Sequence, residues 1–202
     1  MKNIITIQHT QSVHHTNGMI GSWTDWDLTD FGKKQAERIG SNLANEIPDK
    51  KWVMYSSDLL RAKQTASIVA KHLKIEPVLL KALRERNLGS AVGKSVEWLH
   101  NNQIAREMKI DDRCLDDAES RRDVWNRLKP FYDEIMDKAE ENIIIVSHGD
   151  TLSILNAMWL GIEPEMLNHC DLFGMAGGVS FFNQGQDKKH KIRKLSDMSY
   201  IK

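Results

Sequence analysis

The sequence predicts a three-layer α/β/α sandwich around a mostly parallel sheet, and three observations predict it. Two β-branched runs, "IITI" at 4–7 and "IIIV" at 143–146, lack the alternation of a half-exposed strand and match strands covered on both faces. Segments with apolar residues at helical spacing alternate with these runs along the chain, which is the order of a layered α/β domain. A chain of 202 residues can bury one large core, and no linker, repeat or low-complexity stretch divides it. Residues 1–202 are therefore expected to form a single domain.

The elements follow in order. After the first strand comes a polar, glycine-containing loop over 10–28, then a helix marked by Ala36, Ile39, Leu43 and Ile47, with Thr29 as its N-cap. "KWVMYSS" (51–57) is the second strand. Leu59, Ala62, Ala66, Val69 and Leu73 give the next helix, with Ser57 or Asp58 as its cap, and "PVLL" (77–80) is a short third strand. Residues 84–119 have no strong period, although "SVEWLHNNQIAREM" is compatible with a helix. Val124, Leu128, Phe131 and Ile135 mark another helix, "NIIIVSHG" (142–149) the second strong strand, and "TLSILNAMWLG" a helix that stops at Gly161. "GGVSFFNQ" and "HKIRKLSDMSYI" close the chain as strands.

Bulk charge excludes some function classes. With 28 basic and 28 acidic residues there is no whole-molecule field to hold nucleic acid or an anionic membrane, so any anion site must be local. The apolar runs fall short of a membrane span and the N-terminus lacks a signal-peptide core, which leads to the expectation of a cytoplasmic protein. Cys114 and Cys170 fit neither a zinc pattern nor a disulfide framework and are expected to be reduced and structural.

Two strands end in histidine, "IITIQH" and "IIIVSHG", and in a parallel sheet both ends lie on the edge where open α/β folds bind ligands. His9 and His148 should therefore face one crevice, as a nucleophile and its partner or as two metal ligands. His14 or His15 could complete a metal set, but their spacing matches no metal motif, and no metal or other cofactor is expected. Arg61 falls on the first turn of a helix at the same edge, a position that favours an anion. Glu85, after the third strand, can reach the same crevice. Taken singly, each of these residues is as readily a packed or solvated side chain.

In combination they resemble a known family. "QHTQS", "GSWTDWDLTDFGKKQA", "YSSDLLRAKQTA", "LRERNLG", "AESRRDVWNRLKPF" and "IIIVSHGDTL" follow the order and approximate spacing of the histidine phosphatase superfamily, which includes the cofactor-dependent phosphoglycerate mutases. The resemblance covers nearly the whole chain. It implies a phosphoglycerate mutase-like fold and a histidine that attacks phosphorus, giving a phosphohistidine that water hydrolyses. On it, His9 is the nucleophile, Arg61 a phosphate clamp, His148 the second pocket histidine and Glu85 the proton donor. Gln8, Ser12, His15 and Gly149 would contact the substrate, a small-molecule phosphoester. Phosphoryl transfer needs these parts: an in-line nucleophile, charge on the equatorial oxygens and a proton for the departing oxygen.

The chain departs from the family signature Arg-His-Gly, having Gln8, His9 and Thr10 there. A glutamine amide offers neutral hydrogen bonds in place of a charged fork, and loss of one preorganised donor commonly costs about 2–4 kcal/mol in the transition state. His15, with His14 beside it, could restore positive charge if an anion held it protonated. The first reading is a phosphohydrolase of the phosphatase branch acting on a small phosphorylated metabolite, its activity lowered if Gln8 is not compensated; the alternatives are a phosphoglycerate mutase and a catalytically weak sensor of phosphate esters. The mutases usually carry an extra segment between the acid and the last histidine, and this chain is short there. Residues 84–119, as a substrate-facing insertion, and the loop around Trp23 and Trp26 are expected to select the substrate.

Overall fold

The computed structural model describes residues 1–47 and 51–202. Six strands form one mixed sheet in the order β3-β2-β4-β1-β5-β6. β1 (Lys2–Gln8), β4 (Asn142–Ser147), β2 (Val53–Ser57) and β3 (Pro77–Leu80) run parallel, while β5 (Val179–Gln184) is antiparallel to β1 and β6 (His190–Asp197) antiparallel to β5. The expected mostly parallel sheet is thus parallel over four strands and closes with an antiparallel pair.

The buried strands send alternate side chains to two separate cores. Ile5, Ile7, Met54, Ile144 and Val146 pack against α2 (Asp30–Glu46) and α3 (Leu60–Leu73), which cover one face. Ile4, Tyr55, Ile143 and Ile145 pack on the other face against α5 (Arg121–Asp137) and α6 (Gly149–Leu160). This double burial is why the strands carry unbroken apolar runs. Two short helices complete the set, α1 (His14–Asn17) within the loop after β1 and α4 (Val96–Asn102) in the 84–119 segment.

Most helix ends follow local chemistry. The Thr29 side chain accepts from Gly32 N, Ser120 and Asp123 form a capping box, and Gly161 closes α6 at φ +66°. The expected cap of α3 is corrected: Leu59 occupies the cap position without a side-chain bond of its own, Asp58 is paired with Arg84, and Ser57 Oγ, beside His148, accepts from Leu59 N just ahead of the helix. The helix expected in "SVEWLHNNQIAREM" is only the seven residues of α4. "HKIRKLSDMSYI" ends as a strand at Asp197 and turns into a 3-10 segment. Both cysteines are free; Cys114 is buried, but Cys170 is exposed and so has no core role. Among the described residues no helix is long and apolar enough to cross a membrane.

The sheet register positions the site. Gln8 lies opposite Ser147 in the parallel β1–β4 pair, so the next residues, His9 and His148, emerge side by side. The chain leaving β1 crosses toward β2 on one side, whereas the chain leaving β4 crosses to β5 on the other. That divergence opens a crevice at the strands' C-terminal ends. The loop after β1 is pressed against α2 where Gly32 meets it: a Cβ at Gly32 would lie 1.9 Å from the Gln11 carbonyl oxygen. Gly32→Ala is expected to displace the Gln11–Ser12 backbone and destabilise the protein by about 1–3 kcal/mol, read as a lower urea midpoint.

Candidate active site

His9 is 3% exposed and sits at the crevice floor directly after β1. Its Nδ1 lies 2.9 Å from the Thr10 carbonyl oxygen, which can only accept, so Nδ1 carries the proton and Nε2 keeps its lone pair. Arg61 Nε donates to that Nε2 at 3.1 Å. Burial, and then the Arg61 charge, push the His9 pKa well below its ordinary value, so the ring is neutral at physiological pH.

Arg61 is 1% exposed. Its Nη1 donates to the Thr24 carbonyl and its Nη2 to the Ser22 carbonyl, both at 2.9 Å, which leaves the guanidinium edge fixed against His9. Burial lowers its pKa to about 10, so it remains charged at neutral pH. The carbonyls that hold it come from the loop over 10–28, whose own shape is braced by two tryptophans. Trp26 Nε1 donates to the Ile20 carbonyl at 2.9 Å and Trp23 Nε1 to the Glu85 carbonyl at 2.6 Å. The two tryptophans brace the loop expected to select substrate, and its residues Met19, Ile20, Gly21 and Ser22 line the cavity.

Glu85 is held by the N-terminus of α6. Its carboxylate accepts from Thr151 N at 3.3 Å, Asp150 N at 3.4 Å and Arg86 N at 3.0 Å. Burial, and then the charge of Asp150, raise its pKa, favouring the protonated acid. Its backbone is fixed from several sides. Arg127 Nη1 donates to the Ala82 and Arg84 carbonyls, and Thr151 Oγ1 donates to the Arg84 carbonyl at 2.7 Å.

His148 lies with its ring centroid 5.0 Å from that of His9, edge-on. It is fully buried, its Nε2 is 2.8 Å from Ser57 Oγ, and its Nδ1 has no partner among the described residues. The cavity of about 660 Å³ is lined by Gln8, His9, His14, His15, Arg61, Glu85 and Gly149 among others, but not by His148. The expected phosphate contact of His148 is therefore one layer behind the cavity wall in this structure. Ser12 is corrected in the same way. It is buried and spent on the histidines, its Oγ 2.5 Å from His14 Nδ1 and its N–H donating to His15 Nδ1 at 3.0 Å.

That last bond defines His15. With Nδ1 accepting, a neutral His15 carries its proton on Nε2, a neutral donor on a ring stacked 5.5 Å from His9. Burial and Arg61 lower the His15 pKa, and burial, His15 and Arg61 lower that of His14 to about 3. Neither imidazole replaces the missing charge of Gln8 while the cavity holds no anion. Gln8 itself is 8% exposed and lines the cavity.

The ring nitrogens of His9, His14 and His15 can be chosen within 4.8 Å of one another, the spacing of a contracted metal set. The donors do not fit a resident metal. The His9 Nε2 lone pair already accepts from a guanidinium and the His15 Nδ1 lone pair from an amide, so a cation would displace one bond and face the Arg61 charge. Sequence reasoning missed the carbonyls of Thr10, Ser22 and Thr24 and the partner Ser57. Backbone carbonyls leave no mark in a residue pattern.

A family model described as the histidine phosphatase superfamily (branch 1) matches residues 4–195. The chain belongs to this superfamily. Among relatives of this histidine phosphatase, a 2,3-bisphosphoglycerate-dependent phosphoglycerate mutase of Cytophaga hutchinsonii is 28% identical over 211 residues, covering 100% of this chain and 94% of the relative. A protein named putative phosphoserine phosphatase 2, from Hydrogenobacter thermophilus, is 30% identical over 174 residues, 83% of each chain. The solved structure of Bacillus stearothermophilus YhfR superposes with a TM-score of 0.81 at 22% identity over 100% of both chains, a likeness of fold.

Because Arg61 is the guanidinium fixed beside His9, Arg61→Ala is expected to weaken vanadate binding by roughly two to three orders of magnitude, measured by calorimetry. An unchanged affinity would remove Arg61 from the anion site.

Proposed function

We propose that this histidine phosphatase is a phosphomonoesterase acting on a small phosphorylated metabolite through a phosphohistidine at His9. The observation that carries the reading is the fixed tautomer of His9, a neutral ring at the cavity floor whose Nε2 lone pair accepts from Arg61 Nε and becomes free for attack when that N–H turns to the phosphoryl group. In the first step Nε2 attacks phosphorus and the P–O bond to the leaving group breaks. Arg61 transfers its N–H from Nε2 to an equatorial oxygen, where the developing charge lies. Glu85, whose protonated form burial and then Asp150 favour, gives its proton to the departing oxygen. In the second step water attacks phosphorus, the Glu85 carboxylate takes its proton, and the N–P bond breaks to release phosphate and neutral His9. Residue His15 supplies a neutral N–H to the phosphoryl group, and Gln8 an amide where the family signature has an arginine. This weaker set of donors supports a slow enzyme. No cofactor takes part, and a cytoplasmic location fits such a substrate.

The mutase named among the relatives is the second reading. Mutase chemistry must also hold the carboxylate of a phosphoglycerate. The cations lining the cavity among the described residues are Arg61 and Arg86, and Arg86 is already paired with Glu107 at 2.6 Å and Asp150 at 3.2 Å. That pairing favours hydrolysis.

The test is rapid-quench trapping with a 32P-labelled phosphoester. A labelled phosphohistidine is expected in the parent and none in His9→Ala; label retained in His9→Ala, or no labelled protein in the parent, would overturn the mechanism. A pH profile of kcat tests the acid. Since the Glu85 pKa is raised and its protonated form is active, kcat for an alkyl ester should fall as pH rises through that pKa. Glu85→Gln should lower kcat by about 10²–10⁴-fold and abolish that descending limb. A limb that persists in the variant would assign it to another group.

A further inference from the structure

Beyond the histidines, the cavity wall turns apolar. Met19, Leu88, Val96 and Leu99 line one side, and Phe173 and Met175 the other. Three of these side chains are unusually open for their type, Val96 at 56%, Phe173 at 57% and Met175 at 64% exposure. They come from two different segments, α4 and the loop before β5, yet converge on one mouth. Scattered exposed apolar residues are ordinary, but an apolar rim around a polar floor is a surface that a ligand covers. The Phe173 ring reaches inward as far as the site floor, since a Cβ on Gly149 would meet its Cζ at 2.4 Å.

Cationic charge on the wall is already assigned. Arg61, held by the Ser22 and Thr24 carbonyls and His9, serves the phosphoryl group, and Arg86 is ion-paired with Glu107 and Asp150 although its buried Nε has no hydrogen-bond partner among the described residues. The remaining ionisable groups lining the cavity are Glu85, Asp150 and the three histidines. A second anionic group on the substrate would thus lie among apolar side chains and near carboxylates, with no free cation among the described residues lining the cavity to receive it, which is costly.

Resting on the phosphomonoesterase reading, we infer that the substrate is a monoester whose alcohol is an uncharged apolar body, aliphatic or aromatic, seated between α4 and the Phe173–Met175 loop. The phosphoryl group binds at His9 and Arg61, and the alcohol leaves along the apolar wall. Val96, Leu99, Phe173 and Met175 are then specificity-determining residues that never touch the reacting atoms.

The test is binding of a homologous series of n-alkylphosphonates, methyl to hexyl, by calorimetry on the full chain, with hydrolysis of the matching n-alkyl phosphates measured in parallel. The alcohols of the longer esters have nearly equal acidity, so their trend reports contact with the wall. Affinity is expected to rise roughly three- to fourfold per methylene until the cavity is filled. Replacing the terminal methyl of the hexyl compound by a carboxylate should weaken binding at least 100-fold. Phe173→Ala should flatten the series, reducing the gain per methylene, and Leu99→Lys should recover the carboxylated ligand. A flat series in the parent, or a carboxylated ligand bound as tightly as the alkyl one, would overturn the inference. If affinity rises along the series while no alkyl phosphate is hydrolysed, the ligand class stands and the enzymatic reading falls.

Discussion

The site depends on a single buried guanidinium. Removing a charged Arg61 from water carries a large desolvation cost, and this protein offsets it with two backbone carbonyls and one imidazole lone pair instead of a carboxylate salt bridge. The choice has a chemical consequence. A carboxylate in direct contact would neutralise the cation and repel a phosphate, whereas carbonyl dipoles hold it in place and leave its charge for an anion. Together with burial, the larger cause, its proximity also keeps the His9 ring neutral, so the same interaction helps prepare both the electrophile's clamp and the nucleophile.

The surrounding structure is arranged so that this interaction cannot relax. β1 and β4 deliver His9 and His148 at one level, Thr10 fixes the tautomer, and Ser12 holds the rings of His14 and His15. The loop that supplies the Ser22 and Thr24 carbonyls is tied to the Glu85 segment through Trp23 and through Ser22 Oγ, which donates to the Arg86 carbonyl at 2.9 Å. Acid, clamp and nucleophile are therefore mechanically joined. A shift of any one of these loops moves the others, which is how a site built mostly on loops attains the precision of one built on strands.

Much of this was legible in the sequence because buried parallel strands and amphipathic helices leave periodic traces. The runs at 4–7 and 143–146, the helix stripes and the caps at Thr29 and Gly161 appear as expected, and the two strand-end histidines do converge. What escaped was non-periodic or non-local. Ser12 looks like a substrate contact in a linear string, but its bonds to His14 and His15 make it a brace, as the carbonyl partners of Trp23 and Trp26 do for the loop that carries them. His15 looked like a source of charge, yet burial and a cation from a distant helix push it the other way. The apolar wall joins α4 to a loop more than seventy positions later, a juxtaposition that only the fold makes.

The proposed chemistry turns on the protonation of His9, which long-range 1H–15N correlation spectra of the imidazole read directly in the protein without ligand. The expected result is a neutral ring protonated at Nδ1, with an unprotonated Nε2 shift that stays constant as pH falls through 6.5. An Nε2–H tautomer, or a ring that titrates at or above 6.5, would contradict it.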